Sequence, residues 1–202
     1  MTSGIVPRPR DFADYVYRIR YCVYAVALVL GVSCLLGIAT AATNPAETQQ
    51  TMQQLSSQFS GFRGLSSFDL MISLFLHNAL ICFLMALLGL AFGAVPLLLL
   101  FDNGLLIGMV GSVACERSGL LVTLAAILPH GIIEVPMMAL SAAIGLRLGY
   151  VVLLSLFRRQ TDVAREAWDS ARVFTVWVLP LLFAAAFVES YVTTALVYFL
   201  AH

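Results

Sequence analysis

The longest apolar run of this chain, residues 119–157, is too long for one straight membrane helix. As a single helix it would rise about 55 Å at 1.5 Å per residue, whereas a bilayer core is about 30 Å thick. Pro129-His130-Gly131 lies inside the run, and proline and glycine are the residues at which a helix most readily breaks. The sequence therefore predicts a broken span, with the break at Pro129-His130-Gly131.

The composition predicts an all-α, polytopic helical bundle that forms a single membrane domain. Charged residues make up 11% of the chain and hydrophobic residues 61%, whereas soluble domains carry about 25% charged residues. The sequence contains no Walker A, GxSxG or HExxH motif, and its polar segments are short, which excludes a soluble catalytic domain. Its few basic residues lie beside the apolar runs, so the sequence gives no support to nucleic-acid binding.

The apolar runs predict about five spans in the bilayer. In chain order, the predicted segments are a first span at 21–43, an external polar loop at 44–67 with a short helix at 46–59, a second span at 68–94, a third at 96–115, the broken fourth at 119–157, a connector at 158–172, and a fifth span at 173–200. A tight turn before Pro96 is preferred to a turn at Asp102-Asn103-Gly104, because the later turn would leave the third span short.

The distribution of arginine predicts the orientation, because cytoplasmic loops carry an excess of basic residues. On one side fall Arg8, Arg10, Arg18, Arg20, Arg158, Arg159, Arg165 and Arg172. Arg147 lies toward that same end, and only Arg63 and Arg117 fall on the other side. We therefore expect a cytoplasmic N-terminus, a cytoplasmic connector, an external polar loop and an external C-terminus.

Polar residues from four predicted spans fall at similar depths in the bilayer, about 12 to 21 Å from its outer face at 1.5 Å per residue. The candidate site residues are Asn78, Asn103, His130, Glu134 and Glu189, with His77 and Asp102 as weaker candidates. Ionisable groups are costly in lipid and commonly mark function. Asp102 is weaker because it suits a turn or kink, and His77 because it suits an interfacial position.

Three arrangements of these residues fit the sequence. The first is a structural cluster held by hydrogen bonds between neutral side chains. The second is a metal site for zinc or a similar divalent ion at His130, Glu134 and Glu189, because imidazole and carboxylate groups are suitable ligands. The third is a proton or ion pathway. His130 and Glu134 are four residues apart and share one helix face, which suits any of the three.

Glycine residues recur at spacings of four, which lets helix backbones approach closely in lipid. The pairs are Gly89 with Gly93, Gly104 with Gly108, and Gly145 with Gly149. They fit either tight packing within one chain or the seam of a homodimer.

The sequence Pro129-His130-Gly131 followed by Glu134-Val135-Pro136 resembles the stage II sporulation protein M family. Ala142, Gly145 and Gly149 after this motif extend the resemblance. Further support comes from His77-Asn78, Gly89, Gly93, Asn103-Gly104, Gly108 and Glu189-Ser190-Tyr191. The resemblance covers roughly residues 77–191, and His77 departs from the family pattern, which has a second Asn there.

The resemblance implies a multi-span protein of a bacterial or archaeal inner membrane, with Asn78, Asn103, His130, Glu134 and Glu189 as important residues. It implies partners in the cell envelope, since the family's namesake is associated with a peptidoglycan hydrolase. Many relatives are associated with a MoxR-type ATPase and a von Willebrand-like domain protein.

Three functions stay open at this point. The leading hypothesis is a membrane scaffold that assembles with envelope partners and carries the buried polar site. The first alternative is a transporter or channel component that binds an ion or solute at the broken helix. The second alternative is an intramembrane metal-dependent enzyme that uses His130, Glu134 and Glu189. The sequence leaves enzymatic activity undecided.

Overall fold

A computed structural model describes residues 8–62, 64–90, 93–157, 161–193, 195–196 and 199. Within these ranges the chain forms helices and no strand, which confirms the all-α prediction. The α-helices are α1 (Pro9–Arg18), α2 (Arg20–Thr43), α3 (Pro45–Gln58), α4 (Ser67–Leu88), α5 (Ala94–Leu156), α6 (Val163–Val173) and α7 (Leu179–Phe187). A 3₁₀ turn follows α3 at Phe59–Phe62, and π-helical turns at Phe174–Val178 and Val188–Thr193 flank α7.

The 63-residue stretch α5 is a hairpin that folds back at Gly119. Gly119 has φ 81° and ψ 162°, a conformation essentially restricted to glycine. A methyl group at Gly145 would lie 3.1 Å from Cγ of Pro96, although a straight helix would separate these two residues by about 70 Å. The stretch therefore consists of an outbound arm, residues 94–118, and an antiparallel return arm, residues 120–156.

The predicted break at Pro129-His130-Gly131 is wrong. The return arm is helical through these residues, and Gly119 is the position in α5 with non-helical dihedral angles. A proline within a membrane helix is tolerated when the surrounding structure satisfies the freed backbone groups. Near the C-terminal end of the return arm, Arg147 reaches Glu166 in the first turn of the next helix.

The other segment boundaries follow the apolar pattern closely. The chain turns between α4 and α5 before Pro96, with Gly93 at φ 76°, and α3 forms where the short helix at 46–59 is predicted. Four helical stretches are long and apolar enough to cross a bilayer: Arg20–Thr43, Ser67–Leu88, Ala94–Leu156 and Val163–Thr193. Because the third is a hairpin, the chain offers five apolar segments. The number and direction of membrane crossings stay predictions.

The last helical stretch runs from α6 through α7 without a non-helical connector. The π-helical turn at Phe174–Val178 ends two residues before Pro180, and its wider backbone accommodates a residue that cannot donate a backbone hydrogen bond. Several predicted features lie outside the described residues. They are Arg63, Arg158 and Arg159, and positions 194, 197–198 and 200 of the fifth predicted span.

Glycines bring two pairs of helices into backbone contact, α2 with the outbound arm and the end of α4 with the return arm. A Cβ atom at Gly37 of α2 would overlap the backbone of Leu105, and one at Gly108 would overlap the backbone of Cys34. A Cβ atom at Gly89 would overlap Gly145 of the return arm. The small residues of the described chain therefore serve packing within one protomer. The homodimer seam stays a prediction.

One end of the bundle, which we call the arginine end, is held by ion pairs between partly exposed arginines and buried carboxylates. Arg18 contacts Asp169 at 2.9 Å and Glu166 at 3.6 Å, and Arg147 of the return arm contacts Glu166 at 3.6 Å. Both carboxylates are buried, and removing one partner from a buried pair is strongly destabilising. This network ties α1, α6 and the return arm together.

Aromatic contacts fix α1 against the same surface. The hydroxyl of Tyr15 lies 2.8 Å from that of Ser170, and burial raises the pKa of the Tyr15 hydroxyl, so it stays neutral. Phe12 packs on Trp177 with ring centroids 4.9 Å apart. The short polar helix α1 is thus a fixed part of the arginine end.

We expect Gly119→Ala to destabilise the protein more than Pro129→Ala. A Cβ at Gly119 meets no atom within 4 Å, so the cost comes from the strained dihedral angles and is about 1 to 3 kcal/mol. Pro129→Ala restores a backbone donor in a continuous helix and carries no such cost. Thermal unfolding in detergent measures both. A Pro129→Ala variant that loses more stability than Gly119→Ala contradicts the hairpin assignment.

Gly37→Ala is expected to lower the unfolding midpoint, because the new methyl group overlaps the backbone of Leu105. The matched control is Gly31→Ala in the same helix, where nothing lies within 4 Å. The control gains helix propensity of up to about 1 kcal/mol. Equal midpoints for the two variants would show that α2 does not pack on the outbound arm at Gly37.

Candidate metal centre in a polar cavity

A cavity of about 930 Å³ lies between α4, both arms of α5 and the π-helical turn Val188–Thr193, with α3 along its side. Eight of its described lining residues are polar: Gln58, His77, Asn78, Asn103, His130, Glu134, Glu189 and Thr193. Eight are apolar: Leu55, Leu70, Leu74, Ile81, Leu106, Ile107, Val110 and Ile127. Polar residues that the sequence distributes over several spans thus share one internal surface.

Helical periodicity explains why each element contributes a set of side chains. On α4, the lining residues run from Leu70 to Ile81 at spacings of three and four, which places them on one helix face. They extend over about 16 Å of helix. His77 and Asn78 lie in the middle of this face, so α4 presents polar groups between two apolar ends.

Three of the polar side chains form a compact cluster. One potential ligand atom from each of His130, Glu134 and Glu189 lies within 4.8 Å of the others. His130 and Glu134 are one turn apart on the return arm, and because the helix does not break between them they share a face. Glu189 approaches from the facing π-helical turn, a local widening that is frequent at functional sites.

Two buried polar atoms at this surface have no hydrogen-bond partner among the described residues. Nδ1 of His130 is one, and Oγ1 of Thr193, a residue with 7% of its surface exposed, is the other. Burying a polar group without a partner costs about 1 to 3 kcal/mol. Such atoms at a cavity wall are suited to a ligand, an ion or ordered water.

The remaining predicted residues divide into two groups. Asn78, Asn103 and His77 line the cavity, and the Asn103 side-chain amide donates a hydrogen bond of 2.7 Å to the Leu99 carbonyl of its own helix. Asp102 is exposed and absent from the cavity wall, since the outbound arm is helical there and turns its side chain away from its neighbour Asn103. The competing turn at Asp102-Asn103-Gly104 does not occur.

Sequence reasoning missed two polar residues of the cavity, Gln58 and Thr193. Thr193 follows Glu189 by four residues, and that spacing could have identified it. Gln58 lies in the polar segment before the second predicted span, where glutamine and serine are abundant. Nothing in its local sequence distinguishes it from its neighbours.

The sequence matches the family described as Stage II sporulation protein M over residues 26–194. The chain belongs to this family. All candidate residues of the cavity cluster, His130, Glu134 and Glu189, fall within the matched range. The family assignment therefore covers the cavity as well as most of the helical bundle.

A curated relative from Methanocaldococcus jannaschii, described as an uncharacterized protein, is 31% identical over 123 residues. The alignment covers 60% of this chain and 69% of the relative. No solved structure matches the chain. The comparisons therefore establish the family of the chain, and the cavity itself is the basis for assigning a role.

Thr193→Val is expected to leave the stability of the ligand-free protein unchanged or to increase it, because a buried hydroxyl without a protein partner is removed. Thr123→Val is the matched control. The Thr123 hydroxyl is buried and donates to the Gly119 carbonyl at 2.9 Å, so its loss costs about 1 kcal/mol. Thermal unfolding in detergent compares the two. A Thr193→Val variant as unstable as Thr123→Val would show that its hydroxyl bonds to the protein.

Proposed function

We propose that this protein binds a divalent metal ion within the membrane and that the metal centre, formed by His130, Glu134 and Glu189, is its functional site. The observation that carries the proposal is the approach of one imidazole and two carboxylates to within 4.8 Å at the wall of a cavity. In this position the ion has protein ligands on one side and accessible volume on the other.

The donor set suits zinc or a similar first-row ion. Imidazole nitrogen and carboxylate oxygen are both ligands of zinc, and three protein ligands with an open position are typical of sites that bind or transform a substrate. A structural zinc site would instead have four protein ligands. The cluster supplies three among the described residues, and the cavity supplies space for an exchangeable ligand.

Charge compensation supports a cation at this position. Two carboxylates that share a low-dielectric site repel each other and are costly when ionised. No arginine or lysine occurs among the described residues that line the cavity. A divalent cation between Glu134 and Glu189 neutralises both groups, and the neutral imidazole of His130 completes the ligand set.

The geometry supports a metal centre better than a purely structural polar cluster. A cluster that locks the bundle would saturate its own hydrogen bonds, because partly satisfied buried networks are destabilising. Here Nδ1 of His130 is buried without a hydrogen-bond partner, and the polar groups face about 930 Å³ of space. Metal coordination would occupy a lone pair of the imidazole and both carboxylates together.

The other functions differ in their support. The transporter hypothesis places the binding site at a break in the helix. The helix is continuous at residues 129–131, so no such site exists there. A scaffold role with envelope or MoxR-type ATPase partners rests on the family resemblance and stays a proposal. The metal centre is compatible with such an assembly and gives it a chemically active membrane component.

The metal content of the purified protein tests the proposal. We expect about one zinc or similar ion per chain after purification with a tag free of histidine and supplementation with zinc. His130→Ala and Glu189→Gln are expected to lower zinc affinity by about 100-fold or more, because each removes one of three ligands. Elemental analysis and competition with a chromogenic chelator measure the stoichiometry and the affinity.

His77→Ala is the matched control, because His77 lines the same cavity but is absent from the three-residue cluster. It should retain zinc at the wild-type affinity. Size-exclusion chromatography establishes that each variant is monodisperse before its metal is measured. A wild-type protein that is folded and free of metal after supplementation would overturn the proposal, as would equal zinc loss in His77→Ala and His130→Ala.

A further inference from the structure

We propose that the cavity binds a neutral amphiphile from the membrane, with an oxygen-bearing head group at the metal centre and its apolar chain along the leucine and isoleucine wall. The inference rests on the proposed metal centre, because the charge of the head group is deduced from the balance between the cation and its two carboxylate ligands.

The volume of the cavity exceeds what an ion requires. A water molecule occupies about 30 Å³ in the liquid, so a metal ion with a few water ligands needs a small part of the 930 Å³ available here. Pockets of about 300 to 1,000 Å³ are those that hold organic ligands. The site is therefore large enough for a metal ion together with an organic molecule.

Half of the described residues that line the cavity are apolar, and they come from helices that face each other across it. Leu70 and Leu74 of α4 lie on one side, and Leu106 and Ile107 of the outbound arm contribute another. Such surfaces are unsuited to an aqueous ion pathway, because the contact of apolar side chains with water is unfavourable in free energy. An alkyl chain removes them from water and gains about 0.8 kcal/mol per buried methylene.

The charges at the cavity wall select the head group. With a divalent cation bound, Glu134 and Glu189 are neutralised and the site carries no net charge. No described lining residue is an arginine or lysine that could pair with a phosphate or carboxylate. An anionic or cationic head would thus enter a low-dielectric site with its charge uncompensated, at a cost of several kcal/mol. Hydroxyl or ester oxygens carry no such cost and can coordinate the metal.

Polar groups beside the metal centre match an oxygen-rich, uncharged head. The buried hydroxyl of Thr193 can donate or accept a hydrogen bond, and it has no partner among the described residues. The side-chain amides of Asn78 and Asn103 line the same cavity and provide donors and acceptors without charge. A head group with several hydroxyls can use all three.

Three probes with the same ten-carbon chain test the inference: monodecanoylglycerol, decylamine and decanoate. Native mass spectrometry of the zinc-loaded protein in detergent reports the amphiphile and the metal in the same spectrum. We expect monodecanoylglycerol to be retained at least 10-fold better than either charged probe. Equal retention of the three, or preference for a charged one by zinc-bearing protein, overturns the neutral-head assignment.

Leu106→Trp should reduce the retention of monodecanoylglycerol at least 10-fold, because the larger side chain fills the cavity. Leu98→Trp is its control on the same arm, since Leu98 is 64% exposed and absent from the cavity wall. If Leu106→Trp does not yield monodisperse protein, Ile127→Phe on the return arm provides the same test. Retention that neither cavity variant lowers overturns the inference.

The same spectra separate failure of this inference from failure of the metal centre. Zinc-bearing protein without selective amphiphile retention overturns the inference and leaves the metal centre in place. Zinc-free protein overturns the metal centre. If such protein then prefers decylamine, the neutral-head assignment is overturned with it.

Discussion

The reversal of the chain at Gly119 is the constraint on which the rest of the structure depends. It converts 63 residues of helical sequence into two antiparallel arms, and the remaining long helices pack against these arms. α2 contacts the outbound arm at Gly104 and Gly108, and α4 contacts the return arm at Gly145. A residue with a Cβ atom adopts these dihedral angles only at a cost of about 1 to 3 kcal/mol, so the pairing of the two arms depends on a glycine at position 119.

The pairing produces a bundle with two unlike halves. Toward the arginine end, backbone contact at Gly89 and Gly145 and fully buried residues such as Met85, Ile144 and Leu182 leave a close-packed core. Toward α3, larger and polar side chains hold the same helices around a cavity. Rigid packing of one half positions the cluster in the other, because His130 and Glu134 lie on the very arm that the glycines immobilise.

The sequence predicts the helical bundle, the turn before Pro96 and a boundary between the third and fourth spans at 116–118, because the apolar runs end at these positions. It also places Asn78, Asn103, His130, Glu134 and Glu189 at similar depths, and the structure lines one cavity with all five. The predicted break at Pro129 is wrong, because proline within a membrane helix is tolerated where the surrounding structure satisfies the freed backbone groups. The facing position of Thr193 depends on tertiary packing and has only a weak local signal.

The π-helical turn at Val188–Thr193 also bears on how the chain is compared with its relatives. A π-helical turn contains one residue more than the α-helical turn it replaces, so it rotates everything that follows relative to a regular helix. A relative with an uninterrupted α-helix at this point would need one residue fewer between its counterpart of Glu189 and the residue at the position of Thr193. An alignment that forbids a single-residue gap between Glu189 and Thr193 would therefore place the wrong residue at the position of Thr193.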